Sequence, residues 1–395
     1  MTSGSELDDG WLVVDGARIT DVGTGPGPAE RCTIELGSEV VTPGFVDLHV
    51  HGGGGRQVSG DTAEEVAEAV CQLAHHHLRH GTTALVPTTV SDTLSRLEVA
   101  VRGVALAMRD REAGEAAILG VHMEGPWLAS GRAGAHEQSL LRSPHPAELE
   151  ALMAASGAAV RLVTFAPELP GAAELLAAGR ASGITMAVGH TDADFDTVRE
   201  AFAGGARHVT HLGNAMPGVD RRAPGPIAAA LADGRATLEV IADGVHLHRG
   251  FLSLVGAVAP GRLVAVTDAI AACGMPPGNY RLGSVDVVVD AERAVLAEQP
   301  GTLAGSVLTM DRAVATLVDS GVGLPTAVLA ATGTPAGVVS AIGKGHLRSG
   351  ADADIVVLDA RLRAVATVVG GRVVWDPDGR LDAVGEPAGP RSEAR

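Results

Sequence analysis

The sequence predicts an α/β fold, a (β/α)8 TIM-like barrel with a small β-sandwich domain built from both chain termini. Between about residues 43 and 343, short apolar runs rich in β-branched residues alternate with Ala-rich stretches of helical spacing. Eight such runs can be counted, which is the number of strands that this barrel needs, and about 300 residues suit it. At the two chain ends, by contrast, short alternating runs follow one another around Gly-rich turns without helices between them.

The eight predicted barrel strands are apolar runs that end in a polar cluster: residues 45–50, 82–86, 118–123, 160–165, 184–188, 208–210, 237–241 and 263–266. Helical spacing of apolar residues is clear between them, for example over residues 62–80 and 195–204. A doubly wound sheet is the alternative fold, but such a sheet usually has about five or six strands, so eight runs favour the barrel.

Both ends of the chain carry further short strands. Two segments that flank a barrel can pair with each other, so we expect one small β domain over residues 1–44 and 345–395, around a barrel over residues 45–344. Its expected strands are residues 11–14, 18–22, 32–36, 40–41, 354–358, 364–369 and 372–375. Residues 280–296 also alternate and predict a hairpin inserted after the eighth barrel strand, and the polar tail from residue 379 is expected to be loose.

The charge of the chain limits its partners. Thirty basic and 47 acidic residues give a formal net charge of −17. A field of this sign repels nucleic acid and anionic membrane surfaces, so both partner classes are disfavoured. An anionic small substrate would therefore need a local cationic pocket. Aromatic residues make up 2% of the chain, which argues against a surface for base stacking.

Cysteine content and hydropathy predict a cytoplasmic protein. Cys32, Cys71 and Cys273 are odd in number and far apart, which indicates a reducing compartment and no disulfide framework. No run of about 18 uncharged apolar residues could span a bilayer, and the polar start of the chain predicts no secretory signal.

The first predicted strand ends in a His-x-His pair, His49 and His51. Residues i and i+2 of a strand point to the same face, so both side chains are expected to project into the mouth of the barrel. A single buried histidine is more often a satisfied core residue than a ligand. A pair at a strand end instead indicates metal binding.

Further polar residues lie at other strand ends: Glu124 at the third, His190 at the fifth, His211 at the sixth and Asp268 at the eighth. Active sites of this fold are built at the C-terminal ends of the strands. Four histidines and two carboxylates that meet there match an imidazole-plus-carboxylate site for a divalent metal, with zinc or iron the natural choice.

Other histidines are expected to be structural. His75, His76, His77 and His80 lie on the helix before the second strand, cannot share one face, and are expected to be solvated. His208 begins the sixth strand, on the wrong side for the ligand cluster if His211 faces inward.

Nine segments together resemble the amidohydrolase superfamily and, within it, the N-acetylglucosamine-6-phosphate deacetylase family over nearly the full chain: residues 43–52, 122–127, 134–136, 166–168, 189–193, 210–216, 241–246, 266–269 and 301–306. The first and fourth of these segments are shared widely in the superfamily. The Glu-Gly-Pro, His-Leu-x-Asn-Ala-Met and Leu-Ala-Gly-Ser pieces are the specific ones. Gly213 departs from the family, which commonly has an aromatic residue there.

The resemblance implies a role for each site residue. Glu124, His190 and His211 would hold the primary metal, His49 and His51 a second ion, so that one or two ions bind. Asp268 would be the general base and acid. The residues expected to contact the substrate are Ala135, His136, Asn214, Ala215, Arg222, His246, Leu303, Ala304 and Gly305. The implied reaction is hydrolysis of N-acetyl-D-glucosamine 6-phosphate to D-glucosamine 6-phosphate and acetate by a homodimer, with Arg222 and His246 at the phosphate.

A single lysine narrows the choice within the superfamily. Lys344 is the only lysine among 30 basic residues, and it follows all eight predicted strands. Members of the superfamily that bridge two metals with a carbamylated lysine at strand four are therefore excluded. A Schiff-base aldolase is disfavoured for the same reason. Two alternatives stay open: another lysine-free amidohydrolase of the adenine-deaminase or aminoacylase type, and a phosphosugar-binding sensor without activity.

Overall fold

The computed structural model describes residues 6–28, 33–290 and 292–381. Its strands, in chain order, are β1 (Gly10–Asp15), β2 (Arg18–Thr24), β3 (Val40–Pro43), β4 (Phe45–Val50), β5 (Gly52–Gly53), β6 (Arg56–Gln57), β7 (Thr82–Thr89), β8 (Ala117–Ile118), β9 (Val121–Glu124), β10 (Val160–Phe165), β11 (Thr185–Val188), β12 (His208–Val209), β13 (Thr237–Ile241), β14 (Leu263–Val266), β15 (Gly278–Leu282), β16 (Val285–Val289), β17 (Ala294–Leu296), β18 (Ile355–Leu358), β19 (Ala364–Val369) and β20 (Arg372–Trp375).

The helices that cover the sheet are α1 (Ala63–Leu78), α2 (Leu94–Arg109), α3 (Pro146–Ala155), α4 (Ala172–Ala181), α5 (Phe195–Gly204), α6 (Gly225–Ala232), α7 (Arg249–Val258), α8 (Met310–Asp319), α9 (Leu324–Ala331) and α10 (Gly333–Val338). Two single 3₁₀ turns, Ser130–Arg132 and Gln138–Leu140, lie between β9 and α3.

The barrel prediction is confirmed. The strand order is β4-β7-β9-β10-β11-β12-β13-β14, every neighbouring pair is parallel, and the short β8 pairs with β7. Helices on the outside and side chains in the centre bury both faces of these strands, which explains their nearly continuous apolar runs. The predicted bounds of β4, β10, β13 and β14 match the structure, whereas the third predicted run is interrupted and forms β8 and β9.

Backbone and side-chain hydrogen bonds join the last barrel strand to the first. Val50 and Ala269 form an isolated parallel bridge, and the N–H of Asp268 donates to the carbonyl of His49 at 2.8 Å. Below them the buried Asp47 carboxylate accepts the Thr267 hydroxyl at 2.5 Å and the Thr267 N–H at 3.2 Å. The barrel therefore closes at the residues that carry His49 and Asp268.

Helix α1 begins with a capping box, in which Thr62 accepts the N–H of Glu65 and the Glu65 side chain accepts the N–H of Thr62. Its buried stripe of Val66, Val70 and Leu73 continues to His77 at spacings of three and four residues. The expectation that these helix histidines are solvated is therefore wrong for His77, which is 1% exposed.

The two chain ends build a small β layer beside the barrel. Strand β18 pairs with β3 and β19, β20 adds beyond β19, and the β1–β2 hairpin packs its Ile19 against the apolar face of this sheet. The predicted strand at 32–36 is wrong for residues 33–36, which are not in a strand, and Cys32 lies outside the described residues. The domain boundaries after 44 and before 345 stay a prediction.

The insertion after β14 has three antiparallel strands, β15, β16 and β17, rather than the two of a hairpin. Most of the tail from residue 379 lies outside the described residues. Within those residues, no helix has the length and apolar character needed to cross a membrane.

One ion pair ties the barrel to the small sheet. The ammonium of Lys344, which is 13% exposed, lies 2.8 Å from Asp352 and 2.6 Å from the buried Asp354. Asp354 also accepts the N–H of Gly370 on its side chain, and its carbonyl accepts the N–H of Gly44. The single lysine is therefore a structural residue at the joint between the sheet and the barrel.

Candidate metal centre and active site

Six predicted site residues meet at the carboxyl ends of the barrel strands. His49 is on β4, His51 follows it, and Glu124 ends β9. His190, His211 and Asp268 are each the second residue after a strand, β11, β12 and β14. All six are buried, none with more than 7% of its surface exposed.

Three of these residues have a backbone conformation that is rare outside glycine. The φ angles of His190, His211 and Asp268 are +47°, +28° and +49°. Such strain persists only where the surrounding structure holds it, and it is concentrated at functional sites. Here the left-handed residue turns the chain at the end of each strand, where the side chains converge.

Glu124 lies at the centre of the cluster and its two oxygens contact different histidines. Oε1 lies 3.1 Å from His190 Nε2 and 2.9 Å from His211 Nε2. Oε2 lies 3.2 Å from His51 Nε2 and 3.5 Å from His49 Nε2. One carboxylate is thus shared by the two histidine pairs that the sequence assigns to a primary and a second ion.

Asp268 contacts the second pair. Its Oδ1 lies 3.2 Å from His51 Nε2 and 3.5 Å from His49 Nε2. Burial raises the pKa of Asp268, but His49 and His51 outweigh it, so the pKa lies below its ordinary value. Burial likewise raises the pKa of Glu124, and the facing histidines His49 and His136 bring it well below its usual range. Both carboxyl groups are ionised at neutral pH.

Hydrogen bonds behind the rings fix the tautomers of three histidines. Nδ1 of His51 donates to the Thr88 carbonyl at 3.1 Å, and Nδ1 of His190 donates to the Arg132 carbonyl at 2.7 Å. Nδ1 of His49 donates to Glu239 at 3.2 Å. Burial lowers the pKa of His49 and His51, but the facing Glu124 and Asp268 carboxylates outweigh it and raise the pKa above its ordinary value. Once a bound metal replaces the Nε2 proton, each of the three rings offers an Nε2 lone pair.

These lone pairs fit a metal centre. His49 and His51 bring their Nε2 atoms to 3.1 Å, and His190 and His211 bring theirs to 3.0 Å, beside ionised carboxylates. Acceptors at such distances repel one another unless a cation or added protons lie between them, and a divalent cation neutralises all of them together. His211 differs from the other three histidines, because its Nδ1 is buried without a hydrogen-bond partner that would fix the tautomer.

Glu239, which is fully buried on β13, is not among the site residues predicted from the sequence. It accepts from His49 Nδ1, from the N–H of His211 at 3.1 Å, and from His208 Nε2 at 2.7 Å. Burial raises the pKa of Glu239, but His208 and His49 lower it to well below its ordinary value. The signal was a single acidic residue inside an otherwise apolar barrel strand. His208 lies behind the ligands, as expected, where it anchors Glu239.

His136 has the opposite tautomer from the metal-facing histidines. The N–H of Ser91 donates to its Nδ1 at 3.1 Å, so Nε2 carries the proton and donates to Glu124 Oε2 at 3.2 Å. Burial lowers the pKa of His136 to about 4, so the ring is neutral at pH 7. It therefore presents a neutral N–H donor at the site. Its neighbour Ala135 is half-buried and packs against the insertion.

Three more predicted contact residues lie beside the cluster. Asn214 donates to the carbonyl of His211 at 3.2 Å, and Ala215, with φ +50°, accepts the N–H of Thr191 at 3.2 Å. Gly305, with φ +61°, packs so closely that a Cβ there would lie 2.9 Å from the Asp268 carbonyl oxygen. These positions surround the metal-facing side chains without contributing charge.

The remaining predicted residues make their contacts with residues outside the cluster. The N–H of the buried Ala304 donates to the Ala294 carbonyl on β17, and Leu303 forms an isolated antiparallel β-bridge with Val295. His246 is held by Asp243, whose Oδ2 lies 2.7 Å from its Nδ1. Arg222 is exposed, and its N–H donates to the Asp220 carboxylate on the same loop at 2.7 Å.

Comparisons with known proteins agree with this geometry. Residues 40–374 match the family model described as "Amidohydrolase family". A curated N-acetylgalactosamine-6-phosphate deacetylase of Escherichia coli O157:H7 is 35% identical over 93% of this chain and 96% of its own. The human N-acetylglucosamine-6-phosphate deacetylase is 36% identical over 87% of this chain and 85% of its own.

A solved structure of similar sequence shares the whole architecture. It is an N-acetyl-D-glucosamine-6-phosphate deacetylase variant from Mycobacterium smegmatis in complex with N-acetyl-D-glucosamine-6-phosphate. Its TM-score is 0.88 at 38% identity, over 95% of this chain and 97% of the other. With the family model spanning the barrel and the small sheet, and with histidines and carboxylates converging at the strand ends, this chain belongs to the amidohydrolase family and is a hydrolytic enzyme.

Proposed function

We propose that the protein hydrolyses the acetamido group of N-acetyl-D-glucosamine 6-phosphate, giving D-glucosamine 6-phosphate and acetate, in amino-sugar catabolism or recycling. The observation that carries this proposal is the Glu124 carboxylate shared between two histidine pairs, with Asp268 beside one of them. The named activities of the relatives support the substrate class.

The family resemblance assigns the residues that would hold the metal, and the imidazole and carboxylate donors support that assignment. Glu124, His190 and His211 form the primary set, and His49 and His51, with the shared Glu124, form the second. Imidazole and carboxylate donors suit zinc or iron, with one or two ions in each subunit. When bound, such an ion polarises an amide carbonyl and lowers the pKa of water toward roughly 7.

Asp268 supplies the proton transfers. An amide is a poor electrophile and an amine is a poor leaving group, so both ends of the reaction need help. We assign Asp268, ionised at neutral pH, to accept a proton from the attacking water and to return it to the nitrogen as the C–N bond breaks. His136, whose donor tautomer is fixed by Ser91, would donate to the carbonyl oxygen as negative charge develops there.

The phosphate needs a cationic partner in a chain of net charge −17. We assign this role to Arg222, whose planar guanidinium suits a phosphate, with help from His246. Ala135, Asn214, Ala215, Leu303, Ala304 and Gly305 are proposed to contact the sugar or its acetamido group.

We also propose that the enzyme is a cytoplasmic homodimer. The exposed Val219, 59% accessible, lies three residues before the exposed Arg222, so this loop offers an apolar and a cationic group to a neighbouring subunit. A phosphorylated sugar does not cross a membrane unaided, which favours the cytoplasm. Light scattering of the purified protein tests the dimer.

A second candidate substrate differs at one hydroxyl. The Escherichia coli relative is named for N-acetylgalactosamine 6-phosphate and matches 93% of this chain, so the 4-epimer belongs in the same assay. The protein should be purified with its metal and assayed for acetate release from both phosphorylated sugars and from unphosphorylated N-acetylglucosamine. Adenine and N-acetyl amino acids should be tested in parallel, and metal content should be measured by elemental analysis.

We expect N-acetylglucosamine 6-phosphate to be turned over best and its unphosphorylated form poorly. A preference for N-acetylgalactosamine 6-phosphate would support the proposed deacetylation and change only the identity of the sugar substrate. Preference for adenine or for acetylated amino acids would replace the proposal with one of the alternative amidohydrolases, and a metal-loaded protein without activity on any of these would favour a sensor.

A further inference from the structure

A second group of potential metal ligands lies apart from Glu124, between helix α1 and the turn after β14. His76 and His77 are on the last turn of α1, and Cys273 comes five residues after Asp268. One ligand atom from each of these three residues lies within 4.8 Å of the others. We call this group the His-His-Cys cluster.

Each of the two histidines in this cluster has one buried ring nitrogen without a hydrogen-bond partner. Nε2 of His77 donates to the Gly52 carbonyl at 2.9 Å, which leaves a lone pair on Nδ1, and this atom is buried without a hydrogen-bond partner. Nε2 of His76 is also buried without a partner. Buried polar atoms are nearly always paired, so two orphaned nitrogens on adjacent residues are evidence for a missing ligand.

Both rings are neutral and therefore able to bind a cation at physiological pH. Burial is the main cause that lowers the pKa of His76 to about 3 and that of His77 to about 4. The thiol of Cys273 is buried and makes one weak hydrogen bond, to the Leu308 carbonyl at 3.3 Å.

Glycines let the rings approach the backbone. A Cβ at Gly274 would lie 2.1 Å from Cε1 of His76, and a Cβ at Gly53 would lie 2.6 Å from Nε2 of His77. The N–H of Gly54 donates to the Cys273 carbonyl at 2.8 Å, so the glycine-rich segment after His51 and the turn after Asp268 are joined beside the cluster. The His-His-Cys cluster is thus enclosed by these glycine-containing segments.

We propose that His76, His77 and Cys273 bind a thiophilic divalent cation of the zinc class, at a site separate from the Glu124 centre. On binding, a sulfur–metal bond forms, and the thiol proton leaves to solvent. Ligand atoms around tetrahedral zinc lie about 3.4–3.7 Å apart, so small rotations of the two rings and the thiol complete the site. His76 is partly exposed and gives the ion access.

The site predicts an optical signal that the Glu124 centre does not give. The ligands assigned to that centre contain no sulfur, so a thiolate-to-cobalt charge-transfer band in the near ultraviolet must come from a cysteine, and serine variants of the three cysteines identify which one. The experiment removes zinc with a chelator, because zinc binds such ligands more tightly than cobalt(II) does. Cobalt(II) is then titrated into the wild-type enzyme and into three cysteine variants, Cys273→Ser, Cys71→Ser and Cys32→Ser, and this absorption band is followed.

We expect the band in the wild-type protein and in Cys71→Ser and Cys32→Ser, and its loss in Cys273→Ser. His76→Gln should keep the thiol and weaken cobalt binding at least about tenfold, the lower end of what loss of an outer-sphere partner costs a metal site. Circular dichroism and unchanged deacetylation by Cys273→Ser show that the variant is folded. No band in the wild-type protein, or a band that persists in Cys273→Ser, would overturn the proposal.

Discussion

The N–H of Asp268 donates a 2.8 Å hydrogen bond to the carbonyl oxygen of His49, and this bond joins the last barrel strand to the first. The contact that closes the barrel therefore also places the proposed base beside a proposed metal ligand. Since the bond uses only main-chain atoms, side-chain substitution at Asp268 leaves it in place.

Replacing the proposed base tests its chemistry without changing the barrel closure. Asp268→Asn keeps the size of the side chain and removes the proton acceptor. We expect kcat to fall by at least about 10²-fold, the usual scale for loss of general acid–base catalysis. Steady-state kinetics and substrate binding by calorimetry measure the two effects separately. Wild-type turnover by this variant would exclude Asp268 as the base.

The two histidine pairs should differ in importance. Glu124→Gln or His190→Ala removes a primary ligand, so tightly held metal and nearly all activity should be lost. The double substitution of His49→Ala and His51→Ala should lower the metal content and leave measurable activity. Elemental analysis and acetate release provide both readouts. If the double variant is as inactive as Glu124→Gln, the second ion is obligatory and the order of the sites is reversed.

Glu239 is expected to position His49 for metal binding. In Glu239→Gln the ring loses its carboxylate partner, and metal affinity should fall about 10–100-fold, as for other groups behind metal-binding histidines. Competition with a chelator of known affinity measures this change. The control is Glu200→Gln on the exposed surface of α5, which should bind metal like the wild type. If Glu239→Gln and Glu200→Gln bind metal with equal affinity, Glu239 has a structural role only.

The phosphate assignment predicts a loss that depends on the substrate. Arg222→Ala should weaken transition-state binding of the phosphorylated sugar by about 2–3 kcal/mol, the scale of hydrogen bonds to a charged group. Activity on unphosphorylated N-acetylglucosamine should hardly change. Arg221→Ala, one residue earlier on the same exposed loop, is the matched control for kcat/KM. Equal losses on both sugars would mean that Arg222 supports the loop instead.

The only lysine should contribute to stability rather than to catalysis. Lys344→Met leaves the buried Asp354 without its cation, and losing one partner of a buried ion pair costs about 3 kcal/mol or more. Urea unfolding measures the difference in free energy, and Lys344→Arg, which keeps the charge, should recover part of it. Unchanged unfolding of Lys344→Met would show that solvent compensates the two aspartates.

The barrel and the positions of its site residues could be predicted because both follow from local patterns. Parallel strands buried on both faces give uninterrupted apolar runs, and a polar residue at the end of such a run must lie at the barrel mouth. Glu239 escaped because a charged residue in the middle of a strand is satisfied only by partners distant in sequence, His49 and His208. The sequence around Glu239 carries no pattern that indicates those partners.

Other differences have the same origin. The four helix histidines cannot share one face, which favoured solvated side chains, but the position of His77 continues the buried stripe of Val70 and Leu73. Residues 33–36 alternate like a strand but are not in one, and their alternation instead serves packing, since Ile34 and Leu36 contact the apolar cluster of the small sheet. The exposed position of Arg222 could not be predicted, since the loop after β12 has no periodic pattern.

Because Lys344 at the joint is the only lysine, the protein has a single cleavage site for a lysine-specific protease. Such an enzyme can cut this chain only after Lys344, into residues 1–344 and 345–395. Because the folded protein holds that side chain between Asp352 and Asp354, cleavage must wait for the joint to open. When opening and closing are fast relative to cutting, the cleavage rate follows the open population. One digestion time course thus reports the free energy that holds the terminal sheet to the barrel.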